Sequence, residues 1–285
     1  MIKKMFFGIL AMLALVCAGS WYYIHQNQAQ AVKAEARKTY IQSSSPTIFF
    51  HGWGSSSRAE RHIANAAKKA GVTQTIIEAK VAEDGTVTLK GTIPKDAVNP
   101  IVLVNFDNNR GASTQDQGNY AYAVVKALQD TYGIKEMNMV AHSYGNVTIV
   151  YYMLQHGSDT SLPKLVKQVD IAGHFNGIIG IDEPENLTLD DEGKPSSMRE
   201  SYQELLSLGN HYPQGQVEIL NIYGNTGKGS DERVTNLSSQ SLGYLLKAQV
   251  KSYQEKEITG PNGQHSKLHE TALVDKPLIA FLWGK

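Results

Sequence analysis

From about residue 46 onward, short apolar runs rich in β-branched and aromatic residues alternate with longer stretches whose apolar positions recur at helical spacing. Residues 47–50, 101–106, 137–141, 166–172 and 217–223 have the length and composition of strands, and 58–70, 117–132 and 146–156 have those of helices. Strands that alternate with helices predict a mostly parallel sheet covered on both faces, an α/β fold, because each parallel neighbour needs a crossover. Residues 75–89 depart from the rule. They are interrupted by Glu83-Asp84-Gly85, and Asp-Gly favours a tight reversal, so this stretch predicts a β-hairpin. Residues 249–258 and 274–283 read as a last strand and a C-terminal helix.

The first thirty residues break the pattern. Lys3 and Lys4 precede an almost uninterrupted apolar run over residues 5–24, the charge-then-apolar order of a secretory signal or an N-terminal anchor. Residues 5–18 suit a signal-peptide core, with Ala29-Gln30-Ala31 as the A-x-A site for cleavage after Ala31. As a helix, the run over 5–24 would also cross a hydrocarbon core of about 30 Å. Residues 1–31 are therefore expected to be a signal peptide or membrane anchor, 32–45 a polar tether ending in Ser43-Ser44-Ser45-Pro46, and 46–285 the folded domain. Either fate of the segment implies an extracytoplasmic protein, secreted or held on the outer face of the cytoplasmic membrane.

Composition narrows the function classes. The 285 residues are 41% hydrophobic and 19% charged, enough for a sizeable core, and 27 Lys plus Arg balance 27 Asp plus Glu. No basic excess is available for a phosphate backbone, so nucleic acid is not an expected partner. The single cysteine, Cys17, lies in the apolar run, which leaves the domain without a thiol for disulfides, thiolate metal sites or catalysis. Val16 before it is a poor match to a lipidation site.

Ala141-His142-Ser143-Tyr144-Gly145 stands between a predicted strand and a predicted helix. A serine on such a turn holds its hydroxyl above the sheet edge, and small flanking residues let the backbone reverse; this is the context of a nucleophile elbow, with Ala141 in place of the usual first glycine. An N-capping serine is the structural alternative. A hydroxyl needs a base to take its proton, and the base needs an acid to fix its tautomer. Asp231, with Glu232 as its rival, follows the strand at 217–223. His265 and His269 follow the strand at 249–258. Upstream, His51-Gly52-Trp53-Gly54 ends the first strand.

This ordered set, His-Gly-Trp-Gly, Ala-His-Ser-Tyr-Gly, Ser-Asp-x-x-Val and His-Ser-x-Leu-His-Glu, resembles the α/β-hydrolase superfamily, and within it the poorly characterised cell-surface hydrolases of Gram-positive bacteria. The resemblance runs from about Pro46 to the C-terminus. It departs at the acid, where Glu232 and Val234-Thr235 stand in place of a glycine and a Val-Pro pair. It implies an α/β-hydrolase fold with a cap insertion over about 174–213. It also implies a triad of Ser143, Asp231 and His265, with the backbone N–H groups of Trp53 and Tyr144 as the oxyanion hole. In similar hydrolases the base has an apolar residue about three positions on and the last helix some ten positions on, which favours His265, through Leu268 and Val274, over the alternative base His269.

The expected activity is that of a serine hydrolase, a carboxylesterase acting on small ester or acyl substrates without cofactor or metal. The alternatives are acyl transfer to a cell-envelope acceptor and a non-catalytic surface binding module. The acidic stretch from Asp182 through Asp190, Asp191 and Glu192 matches no EF-hand spacing and is expected to be a solvated cap surface. Apolar cap residues Phe175, Ile178 and Ile179 are expected to line the pocket.

Overall fold

The computed structural model describes residues 2–285, with the side chains of residues 1–16, 19, 29 and 33 outside the description. Most of the apolar run expected as a signal core or anchor therefore falls outside the described side chains. Among the described residues, no helix is long and apolar enough to cross a membrane.

Eight strands form one sheet in the order β3-β2-β4-β1-β5-β6-β7-β8. They are β1 (Thr47–Phe50), β2 (Ile76–Val81), β3 (Val87–Lys90), β4 (Ile101–Phe106), β5 (Glu136–His142), β6 (Lys164–Ile171), β7 (Glu218–Asn225) and β8 (Ser252–Thr259). All neighbours are parallel except β2 and β3, the hairpin that turns at Asp84-Gly85. The central strands are buried on both faces, which is why they are continuous apolar runs. Ile48 and Phe50 point into one core with Val102, Val104, Met139 and Ala141. Phe49 points into the other with Ile101, Leu103 and Val140.

Helices α3 (Thr114–Tyr132) and α4 (Gly145–His156) cover the first face, and α2 (Arg61–Lys69) and α8 (Ala272–Trp283) the second. Helix α3 starts three residues before the apolar repeat suggests, because Ser113 and Asp116 form a reciprocal capping box that satisfies its first N–H groups. Gly133, left-handed at φ 64°, ends it. Short helices α5 (Glu200–Glu204), α6 (Asn236–Gln240) and α7 (Leu242–Leu246) complete the body. At five residues each, they give periodicity nothing to register.

Helix α1 (Ile2–Thr39) precedes the sheet. Its end is fastened to the C-terminus: Ile41 N–H donates to the Trp283 carbonyl at 2.7 Å and Lys285 N–H to the Thr39 carbonyl at 3.2 Å. Buried Asn99 then fixes residues 41–43. Its Oδ1 accepts from Ser43 N–H at 3.1 Å, and its Nδ2 donates to the carbonyls of Ile41 (2.7 Å) and Val72 (3.2 Å). The polar stretch before β1 is thus helical to Thr39 and packed on the body beyond it.

Candidate active site

Parallel strands deliver their C-terminal ends to one edge, and the loops after β1, β5, β7 and β8 meet there. Ser143 follows β5 at φ 53°, a left-handed conformation that costs a non-glycine residue on the order of 1–3 kcal/mol and persists only when the surroundings impose it. They do so here. Ser143 N–H donates to the Ile171 carbonyl at 2.9 Å, and Asn146 Nδ2 holds the carbonyls of both Ser143 (2.8 Å) and Ile171 (2.9 Å). Gly145 is required because a Cβ there would sit 2.4 Å from the Phe50 carbonyl oxygen. Ala141 is fully buried in the core, so its methyl group is accommodated.

Asp231 and His265 approach one another where β7 and β8 end. A Cβ on Gly224 would lie 1.9 Å from the Gly263 carbonyl oxygen and 3.0 Å from Asp231 Cβ, so this crossing tolerates no side chain. Asp231 Oδ1 accepts from the N–H groups of Arg233 (2.9 Å) and Val234 (2.7 Å), while its Oδ2 lies 2.7 Å from His265 Nδ1. His265 N–H in turn donates to the Asp231 carbonyl at 2.9 Å. With its Nδ1 proton turned to a carboxylate, the imidazole offers a lone pair at Nε2, and Nε2 stands 2.9 Å from Ser143 Oγ. Glu232, the rival acid, is exposed. His269 is turned elsewhere, with Nδ1 at 3.1 Å from the Ala59 carbonyl.

The turn after β1 runs beside the elbow, where a Cβ on Gly52 would lie 3.2 Å from Ser143 Cβ. In the turn after β1, Gly54 N–H is taken by Asn109 and Ser55 N–H by Gly52. In the elbow, Asn146 N–H is taken by Ser143 and Val147 N–H by Tyr144. Among the described residues, the N–H groups of Trp53 and Tyr144 donate to no protein acceptor. His51 fixes the first of them. Phe106 N–H donates to His51 Nε2 at 3.2 Å, so the ring proton is on Nδ1, where it donates to the Gly52 carbonyl at 2.8 Å. Because the Gly52–Trp53 peptide is planar and trans, holding the carbonyl aims the Trp53 N–H the opposite way.

Two further histidines belong to this edge and were not singled out as site residues in the sequence. His142 Nε2 donates to the His265 carbonyl at 3.0 Å, and its ring packs against His265 and His269 with centroids 4.9 and 4.6 Å away. Burial, reinforced by the charges of His265 and His269, holds its pKa well below the ordinary value, so it is a neutral donor. His174, just past β6, lies parallel to the Tyr144 ring at 6.0 Å. Its Nδ1 is buried without a partner, and burial lowers its pKa to about 4. The signal for His142 was the second position of the elbow motif, whose side chain must cross toward the base loop; His174 had no comparable signal.

The segment between β6 and β7 touches this edge through His174 and through Ile179 N–H, which donates to the Arg233 carbonyl at 3.0 Å. Phe175 is core rather than pocket, packed against Gly173, while Ile179 is 40% exposed. Its acidic side chains serve turns and pairs. Asp190 Oδ1 accepts from Glu192 and Lys194 N–H, Asp182 caps Ile178 N–H, and Asp182 also pairs with Arg199.

Residues 34–285 match the model of a family described as alpha/beta hydrolase of unknown function (DUF915). A Listeria innocua gene product of known crystal structure is similar over 84% of this chain and 94% of its own, at 23% identity and a TM-score of 0.74. A proposed cell surface hydrolase from Lactobacillus plantarum is similar over 84% and 89%, at 20% identity and a TM-score of 0.66. At these identities the two likenesses speak to the fold. No curated protein matches. With the family matched over nearly its whole length, this chain belongs to the DUF915 alpha/beta hydrolases.

Proposed function

We propose that this protein is a serine hydrolase that cleaves carboxylic esters through an acyl-enzyme on Ser143. The observation that carries the proposal is the unbroken line from Asp231 through His265 to Ser143 Oγ, at 2.7 and 2.9 Å; among the described residues, the backbone N–H groups of Trp53 and Tyr144 have no protein acceptor. His265 Nε2 takes the hydroxyl proton as Ser143 Oγ bonds to the ester carbonyl carbon. The carbonyl oxygen gains negative charge and is met by the N–H groups of Trp53 and Tyr144, donors that need no reorganisation. His265 then returns the proton to the leaving alkoxide, which departs as the alcohol. Water repeats the cycle on the acyl-enzyme and releases the acid. Asp231 keeps the Nδ1 proton in place and stabilises the imidazolium formed midway. His142, bonded to the His265 carbonyl, holds the base loop.

The cap and its acidic surface favour short, water-soluble esters over emulsified fat, and the N-terminal segment favours an extracytoplasmic location. Labelling with a fluorophosphonate tests the central assignment, because the reagent needs an activated serine and no knowledge of the natural substrate. The wild type should be labelled and should turn over p-nitrophenyl butyrate, and Ser143→Ala should do neither while keeping its fold. Equal labelling of Ser143→Ala would place the nucleophile elsewhere. A folded wild type that takes no label would make the protein a binding module.

A further inference from the structure

Helix α1 carries a feature that the reaction does not use. Trp21, Tyr22, Tyr23 and Ile24 are 65%, 64%, 68% and 54% exposed. Successive helical residues step by about 100°, so these four large side chains look out over about 300° of the helix circumference. A protein groove covers one face of a helix and would leave most of them in water. Only a medium that encircles the helix covers all four. They end the apolar stretch that begins after Lys3 and Lys4, and tryptophan and tyrosine concentrate at the level where hydrocarbon gives way to headgroups.

Beyond the aromatic residues the helix stays clear of the body until Val32 and Ala36 meet Gly71. From Trp21 to Ala36 it rises about 22 Å at 1.5 Å per residue. Its foot is planted at the N-terminal ends of the strands. There Thr39 and Ile41 bond to Lys285 and Trp283, Asn99 fixes Ser43, and Thr47 N–H and Asn138 N–H, at the starts of the neighbouring strands β1 and β5, donate to the Pro100 and Pro46 carbonyls. Ser143, Asp231 and His265 all follow the opposite, C-terminal ends, about 20 Å away along β5 at 3.3 Å per residue.

We propose that α1 is a stand-off seated in a lipid bilayer through the stretch ending at Ile24, and that it holds the body by the end of the sheet remote from Ser143, so that the active edge faces away from the bilayer. The substrates are then acyl groups carried outside the lipid, on soluble molecules or envelope polymers, and not the acyl chains of the host membrane. This last step rests on the serine-hydrolase reading; the orientation does not.

The test uses the full chain, with Cys17→Ser, reconstituted into phosphatidylcholine vesicles containing phosphatidylglycerol and a headgroup-labelled acceptor lipid. A donor dye is placed through Lys95→Cys, beside the foot of the helix, or through Lys228→Cys, in the loop before Asp231. Both sites are exposed, and Pro94 and Asp96, the neighbours of Lys95 in sequence, share a cavity wall with Ala36 and Arg37. Energy transfer should be severalfold greater from the first site than from the second, and Gln28→Pro, which breaks the exposed span of α1, should shrink the difference. Equal transfer, stronger transfer from the Lys228 site, or failure of the chain to float with the vesicles would overturn the proposal. In the same vesicles p-nitrophenyl butyrate should be hydrolysed and no fatty acid should be released from the phospholipid. Phospholipid cleavage would overturn the substrate inference, whereas correct transfer without butyrate turnover would overturn the hydrolase reading and leave the orientation standing.

Discussion

At the N-terminal ends of the strands buried Asn99 spends its side chain on three backbone partners, whereas at the C-terminal ends, among the described residues, the backbone N–H groups of Trp53 and Tyr144 find no protein acceptor. Both ends contain a non-glycine residue in the left-handed region, Asn99 at φ 46° and Ser143 at φ 53°. The first is an asparagine, which tolerates that conformation, and it is repaid by its own hydrogen bonds. The second is a serine with its hydroxyl committed to His265. One end of the sheet ties the N-terminal segment to the body, and the other gathers Asp231, His265 and the Ser143 hydroxyl.

The contrast predicts that substitutions at the two ends separate activity from stability. His265→Ala should lower kcat/KM on a butyrate ester by about 10⁴-fold or more with little change in Tm, and His269→Ala should be far milder; the reverse ranking in variants of unchanged Tm would transfer the base to His269. Asn99→Ala should do the opposite. Losing three hydrogen bonds and stranding buried backbone groups should cost about 3–4 kcal/mol in urea unfolding while kcat of the folded fraction holds, and a loss of kcat would erase the distinction between the ends.

Acid should act through the C-terminal end. An unfolded histidine binds its proton below about pH 6.5, while folded His174 resists until about pH 4. Stability should therefore fall as pH drops through that window, by up to about 3 kcal/mol from this group. The groups facing it are His265, Arg199, Asp182 and Tyr144, and His174→Phe should reduce the slope of the urea midpoint between pH 6.5 and 4, leaving the share carried by the buried His142 imidazole. An unchanged slope would remove His174 from the account. The smallest effect is expected at His142. His142→Leu should lower kcat about tenfold by loosening the base loop, with KM nearly constant, and His142→Gln, which keeps a donor, should recover most of it. Equal losses in both variants would mean that ring packing, not the hydrogen bond, does the positioning.

Much of this was legible in the chain. Strands β1 and β4 coincide with their apolar runs because both faces are buried, and the Asp84-Gly85 turn marked the hairpin. The elbow was visible because a small-x-Ser-x-Gly segment stood between a strand pattern and a helix pattern. Asp231 and His265 were legible as positions after the right strands, and the spacing to Leu268 and Val274 favoured His265 over His269, but the distances that set them apart from Glu232 and His269 come from loop geometry, which leaves little trace in periodicity. Phe175 was misplaced for a related reason. An apolar residue in a cap can face the pocket or the core, and here the turn at Ala172, φ 51°, sends it to the core and leaves His174 beside Tyr144.

The segment between β6 and β7 is laced to the connection between β7 and β8. Ser238 Oγ donates to the Gly177 carbonyl and accepts from Asn176 N–H, Ser239 Oγ donates to the Gly173 carbonyl, and Tyr202 OH donates to the Ser241 carbonyl. A segment tied at so many buried points is expected to stay in place when it meets a surface. The rate on a homologous ester series should therefore follow the concentration of dissolved monomer and level off at the critical micelle concentration, with neither the lag nor the jump that marks interfacial activation.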